Sequence, residues 1–466
     1  MNWLLPGLVL WPLFCASLTL FLPNQARHLG LVGAIGTGLL AFWVFSWPVG
    51  DWVLGGWALP LGIGWRLDGI AQLMLLITGG VGLLISLYAW FDESLPTPFW
   101  LLWLGAWGAM NALFLAADVF NLYVALELLG LSAVALVAIS NKRAALQAAM
   151  RYLLVSLLGS MLFLLGVALL YGQYASLDMR LLATQMEPSL VMALALALMT
   201  LGLMAKTALF PLHAWLPLAH GRAPAAVSAI LSALVIKASF YLLIRLWLEV
   251  FAPLQNEMLS LFWMLLGSLA VLWGAWQALA TAHLKRLVAW STVAQVGYLV
   301  IGLALVAHPD TPNNLVWGVL WLIVAHALAK SAMFLAAGNI QQIAGHDELS
   351  HLSYVLRNQR KNLFAFGLAG VSLAGLPLSA GFLAKWWLLD LGIAHQAWWL
   401  LGVLIIGSLM TAGYVMRVLN LAMVSQSQPQ KTFVVHPGRA WVALSLALLA
   451  VFGGLSAQWL WGGLNG

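Results

Sequence analysis

Long apolar stretches separated by short polar loops fill almost the whole chain. Divided into segments of roughly 20 residues, the length that crosses about 30 Å of hydrocarbon, they predict about fourteen transmembrane helices. The segments begin near residues 3, 29, 68, 98, 119, 149, 190, 224, 259, 287, 315, 362, 395 and 439. We therefore predict an all-α integral membrane protein with one polytopic membrane domain over residues 1–466.

Composition supports this class. The chain has 63% hydrophobic and only 7% charged residues, with a mean hydropathy of +0.97, which is outside the range of soluble domains. Its net charge of +6 is spread over short loops and forms no patch, so nucleic acid is not expected as a partner. The single Cys15 excludes an internal disulfide and a cysteine-ligated cluster. We expect no cofactor and no metal, because the sequence shows neither a metal-ligand cluster nor a phosphate-binding loop.

The loops predict an orientation, since cytoplasmic loops collect Lys and Arg. Thirteen basic residues fall in odd-numbered loops: Arg27, Lys142, Arg143, Arg151, Arg222, Lys285, Arg286, Arg357, Arg360, Lys361, Arg417, Lys431 and Arg439. Three fall in even-numbered loops: Arg66, Arg180 and Arg245. This count predicts odd loops inside and both termini outside. The expected location is a bacterial-type inner (plasma) membrane.

Four lysines and one glutamate fall inside the spans themselves. The lysines are Lys206, Lys237, Lys330 and Lys385, and Glu127 lies nine residues after Asp118, about 13 Å into the fifth span. A lysine at the centre of a span costs about 3 kcal/mol, so it is retained where it faces protein or water and has a function. His326 precedes Lys330 by one helical turn, and such a pair can pass a proton. Lys330 and Lys385 could instead only anchor neighbouring carbonyls or snorkel to an interface.

Two spans contain helix breakers in their middle. LFPLHAWLP carries Pro211 and Pro217 around His213, and AGLPLSAGFLAKWW carries Pro377 shortly before Lys385. Proline frees backbone carbonyls, which membrane proteins tolerate only where they are buried or face a water-filled cavity. His213 could bond such carbonyls or carry protons. Matching breaks in two halves are typical of transporters built from inverted repeats.

This pattern predicts two inverted five-helix repeats. We expect three N-terminal helices over residues 1–97, a first repeat over 98–250, a second over 259–422 and a C-terminal helix over 423–466.

Several motifs resemble a known family, the antiporter-like proton-conducting subunits of respiratory complex I, membrane-bound hydrogenases and Mrp cation/proton antiporters. They are DVFNLYVALELL, MAKTALFPLHAWLPLAH, APAAVSAILSALVIKASFYLLIRLW, HLKRLVAWSTVAQVGYL, HALAKSAMFLAAGNI and GLPLSAGFLAKWWLL. The run RYLLVSLLGSMLFLLGVALLYG followed by YASLDMRLLA most resembles the D-type subunit of the Mrp antiporters.

The resemblance implies a proton relay that includes water molecules. Glu127 would pair with Lys206, Lys237 would be the next carrier, and Lys385 would be the terminal group. His326 and Lys330 would form the central relay. Burial disfavours the charged form of a lysine and a nearby carboxylate favours it, so movement of Glu127 could switch Lys206 between holding and releasing a proton.

One position departs from the family pattern. Many relatives have an aspartate after WLP, where this chain has Leu218, so the entry route there could use His220 or Arg222 instead.

Two functions remain open at this point. The chain would be a subunit of an Mrp-type antiporter that exchanges protons for sodium or another cation, or the proton-pumping arm of a redox complex. Coupling to a carbonic-anhydrase-like partner has no supporting feature. In either case the expected partners are other membrane subunits, protons and the lipid bilayer.

Overall fold

The computed structural model describes residues 4–57, 62–309, 311, 316–423 and 432–456. Within these residues, thirteen helices are long and apolar enough to cross a membrane. They are Leu4–Phe21, Pro23–Phe45, Gly69–Trp90, Pro98–Leu115, Val119–Ala138, Arg143–Tyr174, Leu190–Thr207, Ala225–Val250, Glu257–Ala280, Leu284–Val306, Val316–Ala344, Trp398–Leu421 and Pro437–Leu455. Shorter helices include Met179–Gln185, Trp215–Arg222, Ser353–Asn358, Arg360–Ala374 and Ala380–Ala394.

The predicted all-helical membrane fold with about fourteen spans is confirmed. The predicted twelfth span is divided into Arg360–Ala374 and Ala380–Ala394, each of 15 residues. Each part is shorter than the roughly 20 residues that cross a bilayer alone. Five residues therefore interrupt this span near Pro377, as the helix breakers in its sequence predict.

Both predicted helix breaks occur. The helix Leu190–Thr207 ends where Ala208 adopts a left-handed conformation with φ of 55°, and the next helix, Trp215–Arg222, starts seven residues later. In the other break, Gly375 has φ of 77°, and the Ser379 hydroxyl accepts a hydrogen bond from Phe382 N–H at 3.2 Å to begin the following helix. The further division into inverted repeats stays a prediction.

A β-hairpin between the second and third spans was not predicted. Gly50–Leu54 pairs antiparallel with Ile63–Leu67, and Asp51 lies opposite Arg66. Trp65 forms an isolated bridge with Ala116, which ties the hairpin to the end of the helix Pro98–Leu115. The strands have only five residues each, so their alternation is too short to stand out between two apolar spans.

The chain divides into two compact units. The first contains the described residues of Met1–Leu83, Pro96–Ala208 and Leu234–Glu257. The second contains those of Leu84–Leu95, Leu209–Ala233 and Met258–Gly466.

Of the basic residues that the loop count placed in loops, three are almost completely buried within helices. Arg245, Lys285 and Arg439 are only 2%, 1% and 2% exposed. The sequence did not predict their burial because each is within a few residues of a predicted helix end, where a sequence pattern alone does not separate loop from helix. Lys431, counted with them, lies outside the described residues.

In the first unit, the helices Arg143–Tyr174 and Leu190–Thr207 approach closely at two glycines. A Cβ atom added at Gly202 would clash with the Gly159 carbonyl oxygen and would lie 3.0 Å from the Phe163 nitrogen. Small residues allow this close backbone approach, on which membrane helices depend for packing. The crossing lies one turn before Lys206 and therefore fixes its position.

We predict that Gly202→Ala separates these two helices and lowers the free energy of unfolding by about 1–3 kcal/mol, because the atoms in the way belong to the backbone. Tryptophan fluorescence during denaturant unfolding of the purified protein would measure the change. Gly172→Ala, in the helix Arg143–Tyr174, is the control, since a Cβ there has no atom within 4 Å. Equal stability of the two variants would contradict this packing.

Candidate functional site

The first unit contains a buried ion pair inside two spans. Lys206 Nζ lies 2.8 Å from Glu127 Oε1, and their side chains are 5% and 21% exposed. Glu127 comes from the middle of the helix Val119–Ala138, and Lys206 from the last turn of Leu190–Thr207. Gly130 leaves room for the ammonium group, because a Cβ there would lie 3.3 Å from Nζ.

Two serines of the neighbouring helix Arg143–Tyr174 complete this pair. Lys206 Nζ donates a hydrogen bond to Ser156 Oγ at 3.1 Å, and Ser160 Oγ donates to Glu127 Oε1. A hydroxyl group can both donate and accept a proton, so each charged group has a partner that can exchange one. The Lys206–Glu127 pair is thus held by three helices.

Lys237 lies in the middle of the most enclosed helix. The helix Ala225–Val250 is buried from Ala225 to Trp247, and Lys237 is 1% exposed. A π-helical segment, Leu231–Val235, immediately precedes the lysine. Such segments are often found at functional sites because they reorient the side chains next to them.

In the second unit, His326 and Lys330 lie one turn apart on the helix Val316–Ala344 and are 1% and 0% exposed. Lys330 Nζ donates to the carbonyl of Val288 at 3.1 Å and to the hydroxyl of Ser291. Both acceptors belong to the helix Leu284–Val306.

Lys385 binds the carbonyls that the second helix break releases. Its Nζ donates to the Leu373 and Ala374 carbonyls at 2.8 and 3.4 Å, and to Ser408 Oγ at 2.9 Å. It also lies 4.3 Å from the centre of the Tyr298 ring, within the range of a cation–π interaction. Lys385 lines a cavity of about 250 Å³. It therefore anchors the break and borders a space that can hold water.

His213 lies in the segment between Thr207 and Trp215 and lines a larger cavity of about 530 Å³. Its ring stacks on Phe210, with centroids 5.3 Å apart, and meets the Trp290 ring edge-on. Leu218 and Arg286 line the same cavity. Leu218 supplies no carboxylate beside Arg286.

His220 lies inside the second unit and is 0% exposed. Its ring stacks on Phe334 at 5.0 Å, and its backbone carbonyl accepts a hydrogen bond from Ser228 Oγ at 2.9 Å. Arg222, the other residue that the sequence analysis considered for the entry route, is exposed.

The sequence analysis did not identify some of the polar groups of the site. The serines that bind Lys206, Lys330 and Lys385 lie 23 to 50 positions away from them in the chain, so no motif joins them. Lys285 is buried and donates to the Ala223 carbonyl. Arg245 is buried in an ion-pair cluster, and the four-residue spacing between Lys237, Tyr241 and Arg245 was a signal for it.

The arrangement brings together groups that can exchange protons. Buried ammonium, carboxylate, imidazole and hydroxyl groups exchange protons, either directly or through bridging water. Among the residues that the structure describes, no three or more His, Cys, Asp or Glu side chains are placed to bind a metal ion. The fold and the site together define a polytopic membrane protein with titratable groups inside its spans.

Sequence comparison assigns the family. Residues 116–411 match the family described as NADH:quinone oxidoreductase/Mrp antiporter, TM. The N subunit of NADH-quinone oxidoreductase from Desulforudis audaxviator is 35% identical over 382 residues, which cover 79% of this chain and 74% of that one. The D subunit of the Na(+)/H(+) antiporter from Bacillus subtilis is 26% identical over 473 residues, covering 97% and 94%. The chain belongs to this family of membrane subunits.

Solved structures share the fold. A chain of the Mrp complex from Dietzia sp. DQ12-45-1b superimposes with a TM-score of 0.90 at 22% identity, covering 100% of this chain and 97% of that one. A chain of respiratory complex I from Thermus thermophilus gives a TM-score of 0.79 at 25% identity, covering 98% and 97%.

We predict a measurable coupling between Lys385 and Tyr298. In a double-mutant cycle of Lys385→Met and Tyr298→Leu, the interaction free energy should be about 0.5–2 kcal/mol, because each single change removes the same cation–π contact. Denaturant unfolding of the four proteins gives this value. Tyr298→Phe is the control, since it keeps the ring and removes only the hydroxyl group, which hydrogen-bonds the Leu404 carbonyl at 3.5 Å and Ser408. A coupling near zero would mean that the ring does not stabilise the ammonium group.

Proposed function

We propose that this chain is the proton-translocating subunit of a multisubunit membrane complex of the Mrp cation/proton antiporter type, similar to the D subunit of those antiporters. The observation that carries the proposal is the Lys206–Glu127 ion pair at 2.8 Å inside two spans, with a serine hydroxyl on each charged group. Such a pair is costly to bury, and its proton-exchanging partners give it a use in transport.

Two sets of carriers support this function. The first unit supplies Glu127, Lys206 and Lys237, and the second supplies His326, Lys330 and Lys385. His213 and His220 are candidates for entry or relay positions in the second unit. Approach of Glu127 to Lys206 favours the charged lysine, and its retreat favours proton release. Water molecules complete the transfer where side chains do not reach each other.

Similarity to the Bacillus subtilis antiporter relative supports the antiporter type. The match to that relative covers 97% of this chain, against 79% for the quinone oxidoreductase relative, and the Mrp complex gives the higher TM-score. Sodium is the cation named for the antiporter relative, and we propose sodium or a similar cation as the exchanged ion. The bacterial plasma membrane is the proposed location, with both termini outside.

A redox complex is the second candidate, in which this chain would be the proton-pumping arm. The 35% identity with the NADH-quinone oxidoreductase relative favours it and exceeds the 26% identity with the antiporter relative. Either complex implies other membrane subunits as partners. Apolar side chains exposed on the helix Arg143–Tyr174, among them Leu154, Leu158 and Met161, leave a surface for lipid or such subunits.

We predict that Glu127→Ala or Lys206→Ala abolishes proton-coupled ion exchange while the complex still assembles, because each change removes one half of the buried pair. Exchange is measured with a pH-sensitive dye in vesicles that contain the complete complex. Glu187→Ala and Lys142→Ala are matched controls, because both residues belong to the first unit and are exposed. Full exchange in either test variant would remove that residue from the mechanism.

We also expect the purified chain alone to exchange no ions, since the proposal assigns the cation route to the complex. Isolating the native complex by a tag on this chain and identifying its other subunits separates the two candidates. Small antiporter subunits and sodium-dependent proton exchange without a redox substrate support the first. Co-purified iron–sulfur or quinone-binding subunits support the second.

A further inference from the structure

Four charged side chains form a closed ring at the Val250 end of the helix Ala225–Val250. Arg245 contacts Asp68 at 2.5 Å and Glu249 at 2.6 Å, and Arg66 contacts the same two carboxylates at 3.1 and 2.5 Å. Each arginine therefore binds both acids, and the four charges sum to zero. All four residues belong to the first unit.

The two arginines of the ring are buried in the protein, whereas its two carboxylates are partly exposed. The side chains of Arg245 and Arg66 are 2% and 9% exposed, whereas those of Asp68 and Glu249 are 30% and 27% exposed. Burial by itself would raise the pKa of Asp68, but the adjacent Arg245 and Arg66 guanidinium groups and the Ala71 N–H hold it below its usual value. Asp68 therefore stays charged at neutral pH beside the two arginines, since arginine does not lose its proton in proteins.

A polar stripe connects the ring with the buried lysine. Lys237, Tyr241, Arg245 and Glu249 follow each other at intervals of four residues, which places them along one face of the helix. The stripe runs from the middle of the span to its end, about 18 Å at 1.5 Å per residue. The Tyr241 hydroxyl accepts a hydrogen bond from Arg245 Nε at 2.9 Å and donates one to the Phe114 carbonyl at 2.9 Å. Arg245 thus lies between Lys237 and the exposed carboxylates.

The hairpin holds the ring in place from the other side. Arg66 belongs to the strand Ile63–Leu67, whose Gly64 carbonyl accepts a 3.0 Å hydrogen bond from Ala117 N–H. The helix end that carries Glu249 is a π-helical segment, Leu246–Val250. Stability alone is a weak reason for such a ring, because apolar side chains in place of buried ion pairs are often as stable or more so.

We propose that Arg245 is a barrier residue, whose fixed positive charge in this ring keeps protons and metal cations from passing between Lys237 and the protein surface at Asp68 and Glu249. The proposal rests on the proposed function, because a barrier matters only if Lys237 carries protons. A permanent cation in a narrow polar path repels other cations, which is how arginine excludes them in other membrane pores. A lysine at this position could lose its proton to the path.

The test measures passive proton leak through the complete complex in vesicles under an imposed pH gradient, with no exchangeable metal cation present. Arg245→Gln should raise the leak about tenfold. A unit charge about 10 Å from a passing proton, at an effective dielectric constant of about 20, changes the energy of that proton by enough to alter the leak rate by about this factor. Glu249→Gln should not raise it, because the ring then gains positive charge. If the ring had only a structural role, Arg245→Gln and Glu249→Gln would loosen the same contacts and would raise the leak alike.

Two further variants locate the path. Arg245→Gln combined with Lys237→Ala should return the leak to the wild-type level, since the path passes Lys237. Arg245→Lys should leak more than wild type but less than Arg245→Gln, because a lysine carries the same positive charge but can release its proton. Arg180→Gln is the matched control, since Arg180 forms an exposed ion pair with Asp51 in the same unit, with side chains 62% and 43% exposed.

The proposal is overturned if Arg245→Gln assembles without extra leak, if Glu249→Gln leaks as much, or if the leak persists without Lys237. If Arg245→Gln does not assemble, Arg66→Gln replaces it in the comparison with Glu249→Gln. Arg66→Gln should then raise the leak and Glu249→Gln should not. Coupled exchange in Lys206→Ala is measured separately, so failure of the relay and failure of the barrier give different results.

Discussion

The structure depends on compensating charge inside hydrocarbon. An isolated lysine in the middle of a span is costly, and Lys206, Lys330 and Lys385 each have polar partners on other helices. Lys206 has a carboxylate and a serine, Lys330 a serine and a carbonyl, and Lys385 a serine, two carbonyls and an aromatic ring. A serine hydroxyl recurs in all three. Because a hydroxyl accepts from the charged lysine and can donate to the neutral one, it tolerates both protonation states.

Lys385 binds the backbone carbonyls that the second helix break leaves without helical partners. The break leaves the Leu373 and Ala374 carbonyls without their helical partners, and the ammonium group of Lys385 binds both. Anchoring the break and carrying a proton are therefore compatible roles of one side chain. Loss of a proton from Lys385 would weaken its hold on both carbonyls, so its charge state and the local backbone are linked. The adjacent cavity of about 250 Å³ gives this region room to rearrange.

Lysine and arginine are used at different places for a chemical reason. Four of the six proposed carriers are lysines, which lose a proton more readily when they are desolvated, whereas the ion-pair ring uses arginines, which do not. Arg245 is as deeply buried as Lys237, at 2% against 1% exposure, but it contacts two carboxylates. Burial alone thus does not distinguish a carrier from a fixed charge. The type of cation does.

The sequence by itself determined the membrane class, the number of spans, both helix breaks and the positions of the intramembrane lysines. These follow from local properties, namely the length of apolar runs, proline in their middle and charge where none is expected. Only the tertiary structure decided the partners. Nothing in the sequence near Ser156, Ser291 and Ser408 marks them as partners of the lysines. The hairpin strands have only five residues each, and the sequence analysis assigned Arg245 to a loop. Their importance comes from contacts between helices distant in sequence, and the pattern along one segment contains no information about what packs against it.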